Sequence, residues 1–369
     1  MKQNFYLPTK IIMDTDCVAA NAKQLAALGT KALIVTGAHS AHVNGSLDDV
    51  TQALKSEGRA YKVFDKVEPN PTVECVYAGA KCARDAGCDF VIAIGGGSPM
   101  DSAKAIAMLA IQDIPEAKIF SGGYKERLPL CCIPTTAGTG SEVTQYSILT
   151  NDSAKTKTSL ASPVLFPDLA LLDSKYMASL PRSTMINTVL DSMSHSAEGY
   201  LSVKSTAFSD TLALKAMRII GRCLERLGTG GLNGDDRADL LLASTMGGMV
   251  IVHTGTTAVH AMGYSLTYFR HIDHGRANGI LLTEFLKRAE RACPERTADI
   301  LTALGFSSFT DMERKLNLLL GKKEKITGEE LSEYADIAIK AGNIANCLWK
   351  PERSDLYDIY LASFSTAAH

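Results

Sequence analysis

Short, continuous apolar runs alternate with helix-periodic stretches through the first half of the chain. Strands are predicted at Ala32 to Thr36, Tyr61 to Phe64, Phe90 to Ile94, Leu130 to Ile133 and Leu169 to Leu172. Leu47 to Glu57 and Thr72 to Ala86, between them, carry helical periodicity. Ser46 with Asp49 three residues later has the spacing of a capping box opening the first of these helices. Continuous apolar strands alternating with helices predict a parallel sheet covered on both faces. Thr144 to Thr150 instead alternates polar and apolar positions and runs into Asn151-Asp152, the pattern of a hairpin.

After about residue 180 the strand signals vanish. Amphipathic helical patterns run through Ser183 to Leu201, Ser209 to Leu227, Arg237 to Val252, Ile280 to Arg291 and Gly328 to Ile344. Pro181 just before Ser183 suits a domain junction followed by a helix cap. A chain of 369 residues exceeds one ordinary core. The expected division is therefore an α/β domain over 1–179 and an all-helical domain over 180–369. The glycine-rich stretch Gly228 to Gly234 neither follows a strand nor leads into a Lys-Ser/Thr pair, and reads as an interhelical loop.

Composition narrows the function classes. The net charge of −2 leaves no basic excess, and Lys and Arg form no dense cluster, so nucleic acid is not an expected partner. No apolar run approaches the ~20 residues that span a bilayer, and Met1-Lys2-Gln3-Asn4-Phe5 lacks a signal-peptide h-region. The nine cysteines have neither metal nor disulfide spacing, and Cys131-Cys132 are adjacent in a predicted buried strand. Reduced cysteines and a cytoplasmic location are the expectation.

Gly95-Gly96-Gly97-Ser98 follows the strand ending at Ile94 and opens the helical pattern Met100 to Leu109. Glycines let backbone approach a pyrophosphate, and a helix N-terminus offers free N–H groups to it. The motif is neither GxGxxG nor a Walker loop, and a plain structural turn is about as common. Asp101 and Lys104 read either as an exposed first turn or as contacts to the nicotinamide ribose and the nucleotide. A second loop, Pro134-Thr135-Thr136-Ala137-Gly138-Thr139-Gly140-Ser141-Glu142, follows the next strand. Both loops lie at carboxyl ends of strands, where open α/β sheets bind ligands. At Thr36-Gly37 no carboxylate is present to hold a ribose 2′-OH, and His39, Ser40 and His42 are close by. That favours NADP, with NAD second.

Asp191 and His195 stand four apart on one face of a predicted helix. His260 follows the apolar run Ala258-Val259, and His274 precedes Gly275. Any one of these is more often an ordinary hydrogen-bonded residue. One carboxylate and three imidazoles together suit a divalent transition metal. A phosphate cradle and a metal set in one chain point to a nucleotide cofactor working with a metal-bound substrate.

Four stretches, GGGSPMDSAKAIA (Gly95 to Ala107), PTTAGTGSEVT (Pro134 to Thr144), DSMSHSAEGYLS (Asp191 to Ser202) and VHAMGYSLTYFRHIDHGRAN (Val259 to Asn278), resemble the iron-containing (group III) alcohol dehydrogenase family. The resemblance runs from about Phe5 to the C-terminal helix. It implies a Rossmann-like dinucleotide-binding α/β domain followed by an all-α metal-binding domain, the dehydroquinate synthase-like architecture. It places the metal ligands on Asp191, His195, His260 and His274, and the pyrophosphate contacts on Gly95, Gly96, Gly97 and Ser98. Adenine and ribose contacts fall near Thr135, Thr136 and Thr139, with Leu149 and Lys157 further along. Asp101, on the nicotinamide ribose side, and Ser141 complete the candidate cofactor contacts. The segment from Gly37 through Ser40 and Asn44 resembles the NADP-using, 1,3-propanediol dehydrogenase-like branch. The implied activity is reversible oxidation of a primary alcohol or diol to an aldehyde, with a homodimer as the expected assembly.

The chain departs from the family in several places. Tyr264 stands where many members have a histidine discussed as a proton carrier. Val189 replaces a glycine, Asp273 a proline, and His253 an amide or small residue. Tyr264, His271 or water is then the expected proton relay. Four protein ligands would close a tetrahedral zinc site, whereas Fe²⁺ takes five or six, so Fe²⁺ is preferred and Zn²⁺ second. Alternatives on the same architecture are a zinc glycerol dehydrogenase, a dehydroquinate synthase-like lyase, and a catalytically silent nucleotide-binding protein. A lyase needs several cations, and Arg270 and Arg276 are the nearby ones.

Overall fold

The computed structural model describes residues 3–364. They divide into two compact units, one from Tyr6 to Leu180 and one from Pro181 onward together with the residues before Tyr6.

The Tyr6–Leu180 unit contains strands β1 (Lys10–Met13), β2 (Lys31–Val35), β3 (Ala60–Phe64), β4 (Phe90–Gly95), β5 (Leu130–Pro134), β6 (Tyr146–Asn151), β7 (Thr156–Ala161) and β8 (Leu169–Leu172). Six form one sheet in the order β1-β8-β5-β4-β2-β3, and every pairing in it is parallel. β6 and β7 form the expected antiparallel hairpin. The central strands explain the continuous apolar runs. Leu33, Val35, Val91, Ala93 and Cys132 face one core, while Ala32, Ile34, Ile92, Ile94, Cys131 and Ile133 face the other. A strand buried on both faces shows no polar alternation. β1 escaped prediction because it has only four residues and begins at the exposed Lys10.

The helices of this unit are α1 (Cys17–Ala20), α2 (Ala22–Ala26), α3 (Ser40–Val43), α4 (Ser46–Ser56), α5 (Val73–Ala86) and α6 (Gly97–Leu109). The capping box expected at Ser46 does not form. Gly45 occupies the N-cap with φ 80°, which moves Ser46 inside α4, and no side chain caps the helix. The buried Ser46 hydroxyl instead donates to Asn44 Oδ1 at 2.6 Å. α5 is capped: Thr72 Oγ1 accepts from Cys75 N at 3.2 Å, and Gly87 closes the other end in the left-handed region. Gly95 pairs with Pro134 across β4 and β5, so the loops that follow these strands are neighbours.

The second unit is helical: α7 (Arg182–Tyr200), α8 (Ala207–Thr229), α9 (Gly234–Thr254), α10 (Ala258–Arg270), α11 (His274–Glu290), α12 (Pro294–Leu304), α13 (Phe309–Leu320), α14 (Gly328–Ala338) and α15 (Arg353–Phe364). A single antiparallel bridge, Ser202 with Cys347, is the strand-like pairing found among its described residues. α7 packs against α8, α9 and α11. Every residue from Val189 to Tyr200 is buried, including six polar ones. The amphipathic stripe read from the sequence is therefore only the N-terminal part of α7. Pro181, not a hydrogen-bonding side chain, precedes its first turn. α14 stops at Ala338, short of the expected Ile344, and residues 342–346 tighten into a 3₁₀ turn. No single described helix is long and apolar enough to cross a membrane.

Candidate metal centre and nucleotide cradle

α7 presents Asp191 and His195 one turn apart. His260 enters from the first turn of α10, and His274 is the first residue of α11. Asp273 fixes that start by accepting from Gly275 N at 3.2 Å and Arg276 N at 3.5 Å. The residue that departs from the family proline is thus a helix cap. Asp191 Oδ1 lies 4.0 Å from His195 Nε2, 3.5 Å from His260 Nε2 and 3.8 Å from His274 Nε2. Donor atoms of Asp191, His195 and His260 fall within 4.8 Å of one another. Ligand atoms about 2.1 Å from a tetrahedral ion stand roughly 3.4 Å apart, so Asp191, His195 and His260 are spaced to hold one cation, and His274 adjoins them through the 3.8 Å approach of its Nε2 to Asp191 Oδ1.

A further observation supports that fit. The side-chain amide of Asn278, which is fully buried, points Nδ2 at Asp191 Oδ1 (2.9 Å), His260 Nε2 (3.2 Å) and His274 Nε2 (3.3 Å). Nδ2 thus stands within 3.3 Å of an atom on three of the four side chains that would ligate a divalent cation. Burial alone would raise the Asp191 carboxyl, but His195, His274 and His260 hold it well below the ordinary range. Burial likewise opposes the charge on His260, and the Glu198 and Asp191 carboxylates outweigh it, raising His260 to about 9. The His274 side chain is 23 % exposed against 2 % for His260, so the cluster opens at its His274 edge.

Tyr264 sits at that edge. It is half-buried, and its ring stacks on His274 at 5.6 Å with an 18° interplanar angle. His271 is exposed at the end of α10 in the left-handed region, with φ 51°. His253 belongs to neither group: its ring stacks on Phe5 at 4.3 Å, and Nδ1 lies 2.8 Å from Met249 O. Glu198, Asn278 and Thr257 were missed by the sequence reading. Glu198 was within reach of it, since a residue seven after Asp191 shares its helix face.

The cradle belongs to the Tyr6–Leu180 unit. A Cβ on Gly95 would meet Pro99 Cγ at 2.6 Å, and Gly95 has φ 147°. A Cβ on Gly96 would lie 3.1 Å from Thr136 Oγ1, and one on Gly97 would lie 2.7 Å from Thr139 Cγ2. The two predicted loops therefore pack backbone to side chain, and glycine is what lets them. Gly96 is the N-cap of α6 and supplies no capping side chain, so the first-turn N–H groups are offered to an anion. Ser98 Oγ accepts from Asn70 N at 3.2 Å, and Thr135 N donates to Gly95 O at 3.0 Å.

Asp101 and Lys104 are not an exposed first turn. Lys104 is fully buried and donates to Ser141 Oγ (2.7 Å), Thr144 Oγ1 (3.0 Å) and Tyr146 O (2.8 Å). Asp101 accepts from Ser141 Oγ (2.6 Å) and Ile148 N (3.1 Å), with the Lys104 ammonium 4.0 Å away. Burial raises the Asp101 carboxyl and lowers the Lys104 amine, each moderated by the other's charge. This network ties α6, the second loop and β6 together. Gly37 lies just beyond β2, and a Cβ there would come 3.3 Å from Val67 O. Ser40 is exposed at the start of α3, and Asn44 Oδ1 accepts from Ser46 N at 3.0 Å. Leu149 is fully buried in the hydrophobic core, and Lys157 stands on β7 opposite Thr150.

Residues 8–174 match the family described as iron-containing alcohol dehydrogenase, and residues 185–364 match the Fe-containing alcohol dehydrogenase family, C-terminal. The chain belongs to the iron-containing alcohol dehydrogenase family. It is 35% identical over 286 residues to long-chain-alcohol dehydrogenase 1 of Geobacillus thermodenitrificans (strain NG80-2), covering 76% of this chain and 72% of that one. A crystal structure of an iron-containing alcohol dehydrogenase from Thermotoga maritima shares 36% identity with a TM-score of 0.91, over 98% of this chain and 99% of that one. A solved 1,3-propanediol oxidoreductase shares 27% identity with a TM-score of 0.90, over 99% of this chain and 100% of that one. The protein is an oxidoreductase of the alcohol dehydrogenase type, from a family that uses iron and NAD(P).

Proposed function

We propose that this alcohol dehydrogenase oxidises a primary alcohol or diol reversibly to the aldehyde, with NADP preferred over NAD and Fe²⁺ over Zn²⁺. The imidazoles of His195, His260 and His274, each with Nε2 within 4.0 Å of Asp191 Oδ1, carry the reading. A divalent ion held there supplies Lewis acidity to a substrate oxygen, and the nicotinamide supplies hydride chemistry. The chain's own residues bind, orient and move protons. Gly95, Gly96, Gly97 and Ser98 receive the pyrophosphate. Asp101, Thr135, Thr136, Thr139, Ser141, Leu149 and Lys157 lie along the remaining nucleotide, and Gly37, Ser40 and Asn44 along its 2′-phosphate. The absence of a carboxylate at Gly37 supports NADP. Tyr264, at the open edge of the metal cluster, relays the alcohol proton, with His271 second. A proton carrier contributes only roughly 10²- to 10⁴-fold, so a tyrosine in place of histidine is compatible with turnover.

The two cations that the lyase alternative would draw on are already engaged. Arg270 is paired with Glu330 at 3.0 Å, and Arg276 with Glu324 at 2.8 Å. The nine cysteines are all free thiols, which supports a reducing, cytoplasmic compartment. A homodimer completes the reading and is checked by light scattering.

The deciding experiment is anaerobic reconstitution with Fe²⁺ or Zn²⁺ and a panel of alcohols and aldehydes, followed at the nicotinamide absorbance. His260→Ala should abolish turnover and metal retention while the cofactor still binds. Full activity and a full metal complement in that variant would overturn the assignment. Gly37→Asp should penalise NADPH more than NADH, and an unchanged preference ratio would remove the NADP reading.

A further inference from the structure

Glu198 is a buried carboxylate, 0 % exposed, on α7. Its two oxygens divide their work. Oε2 accepts from His260 Nδ1 in a short, direct contact. Oε1 accepts from Thr257 N (2.9 Å), Thr257 Oγ1 (2.7 Å) and His260 N (3.3 Å). One side chain thus grips His260 at both backbone and ring, and grips the residue that precedes α10.

We propose that Glu198 is a positioning residue that sets the metal affinity of this protein without touching the metal. The inference rests on the metal reading of Asp191, His195, His260 and His274. A proton held on His260 Nδ1 leaves the ring's lone pair at Nε2, the atom that lies 3.5 Å from Asp191 Oδ1. Because Oε1 and Oε2 belong to one rigid carboxylate, fixing the α10 backbone also fixes the plane of the imidazole. The negative charge of Glu198 further strengthens His260 as a donor toward a cation. Among the described metal-cluster residues His260 is the most buried, so it has the least solvent to reorient it. Glutamine has the same size but cannot substitute. Its amide presents an NH₂ group either to the ring N–H or to the Thr257 and His260 N–H groups, and one set of donors is then opposed.

The test uses the metal-free full chain, titrated with Zn²⁺ or Co²⁺ against a chromophoric chelator, together with circular dichroism and NADPH binding. Glu198→Gln is expected to weaken metal affinity by roughly 10- to 100-fold while helical content and NADPH affinity hold. Thr257→Val, which removes the hydroxyl donor to Oε1, should weaken it severalfold, and Thr257→Ser should restore it to within about twofold. The threonine pair decides the matter if Glu198→Gln does not fold. A purely structural carboxylate would lower the melting temperature of these variants and leave metal affinity unmoved, which would overturn the proposal. His260→Ala separates the two readings. If it loses metal while Glu198→Gln retains wild-type affinity, the Glu198 role falls alone. If His260→Ala also retains wild-type affinity, the metal reading falls with it.

Discussion

Replacing Gly97 by alanine places a Cβ 2.7 Å from Thr139 Cγ2, whereas ordinary contacts begin at 3.4 Å, a deficit of 0.7 Å. Gly97 is the first residue of α6, so the backbone itself accepts alanine and gains up to ~1 kcal/mol of helix propensity. Overpacking of a tight contact costs about 1–3 kcal/mol, so the steric effect wins. The strain has a defined route. Thr139 Oγ1 accepts from Ser141 N at 3.2 Å, and Ser141 Oγ donates to Asp101 Oδ1 at 2.6 Å. Displacing Thr139 therefore disturbs the loop proposed to hold the nucleotide. The expected result is a cofactor Kd raised at least tenfold, about 1.4 kcal/mol, by nicotinamide fluorescence titration. Thr139→Ser removes Cγ2 and keeps the hydroxyl, which lies at an ordinary 3.4 Å from the added carbon. The double variant should then recover about 1 kcal/mol, a coupling that a double-mutant cycle measures. A single variant with unchanged Kd, or a double variant no better than the single, would refute the packing argument.

Lys104→Met leaves Ser141, Thr144 and Tyr146 without their shared donor and Asp101 without its nearby cation. A loss of roughly 3 kcal/mol is expected in denaturant unfolding of the full chain, and an unchanged midpoint would show the network to be dispensable. Metal uptake by the metal-free protein should tighten with pH. His260 carries a proton below about 9 that the metal must displace. Chelator competition is expected to show up to about tenfold tighter binding per pH unit below that value and no further gain from this group above it; a flat profile contradicts the assignment. Thr72→Ala removes the α5 cap and should cost about 1 kcal/mol, read as a lowered melting temperature with cofactor affinity kept.

The parallel sheet was legible because β2, β4, β5 and β8 are buried on both faces, and burial of that kind writes an unbroken apolar run into the sequence. The first glycine loop was legible as a strand-to-helix turn and the second as a polar loop after a strand, though the contact of Thr136 and Thr139 with the glycines was not assigned. Ser46 misled, because a left-handed Gly45 shifted the helix start by one residue. The one-turn spacing of Asp191 and His195 was local and visible. Their meeting with His260 and His274, by contrast, came from family resemblance, since 83 residues (274 − 191) separate the ends of the set. β1, α1, α2, α3, α10, α12 and α13 went unread, and α15 was read only as the C-terminal helix of the resemblance.

What the sequence determined by itself was the alternation of buried strands with helices before a purely helical half, the two glycine-containing loops and the chemical types available to the site. What only the tertiary structure decided was who faces whom at short range. Lys104 became a buried clamp, Glu198 gained both halves of its grip on His260, and Asn278 pointed its amide among the histidines. The reason is physical. Periodicity reports the local preference of a backbone for one solvent-facing side, whereas a buried polar group is paid for only by partners that packing brings from elsewhere in the chain.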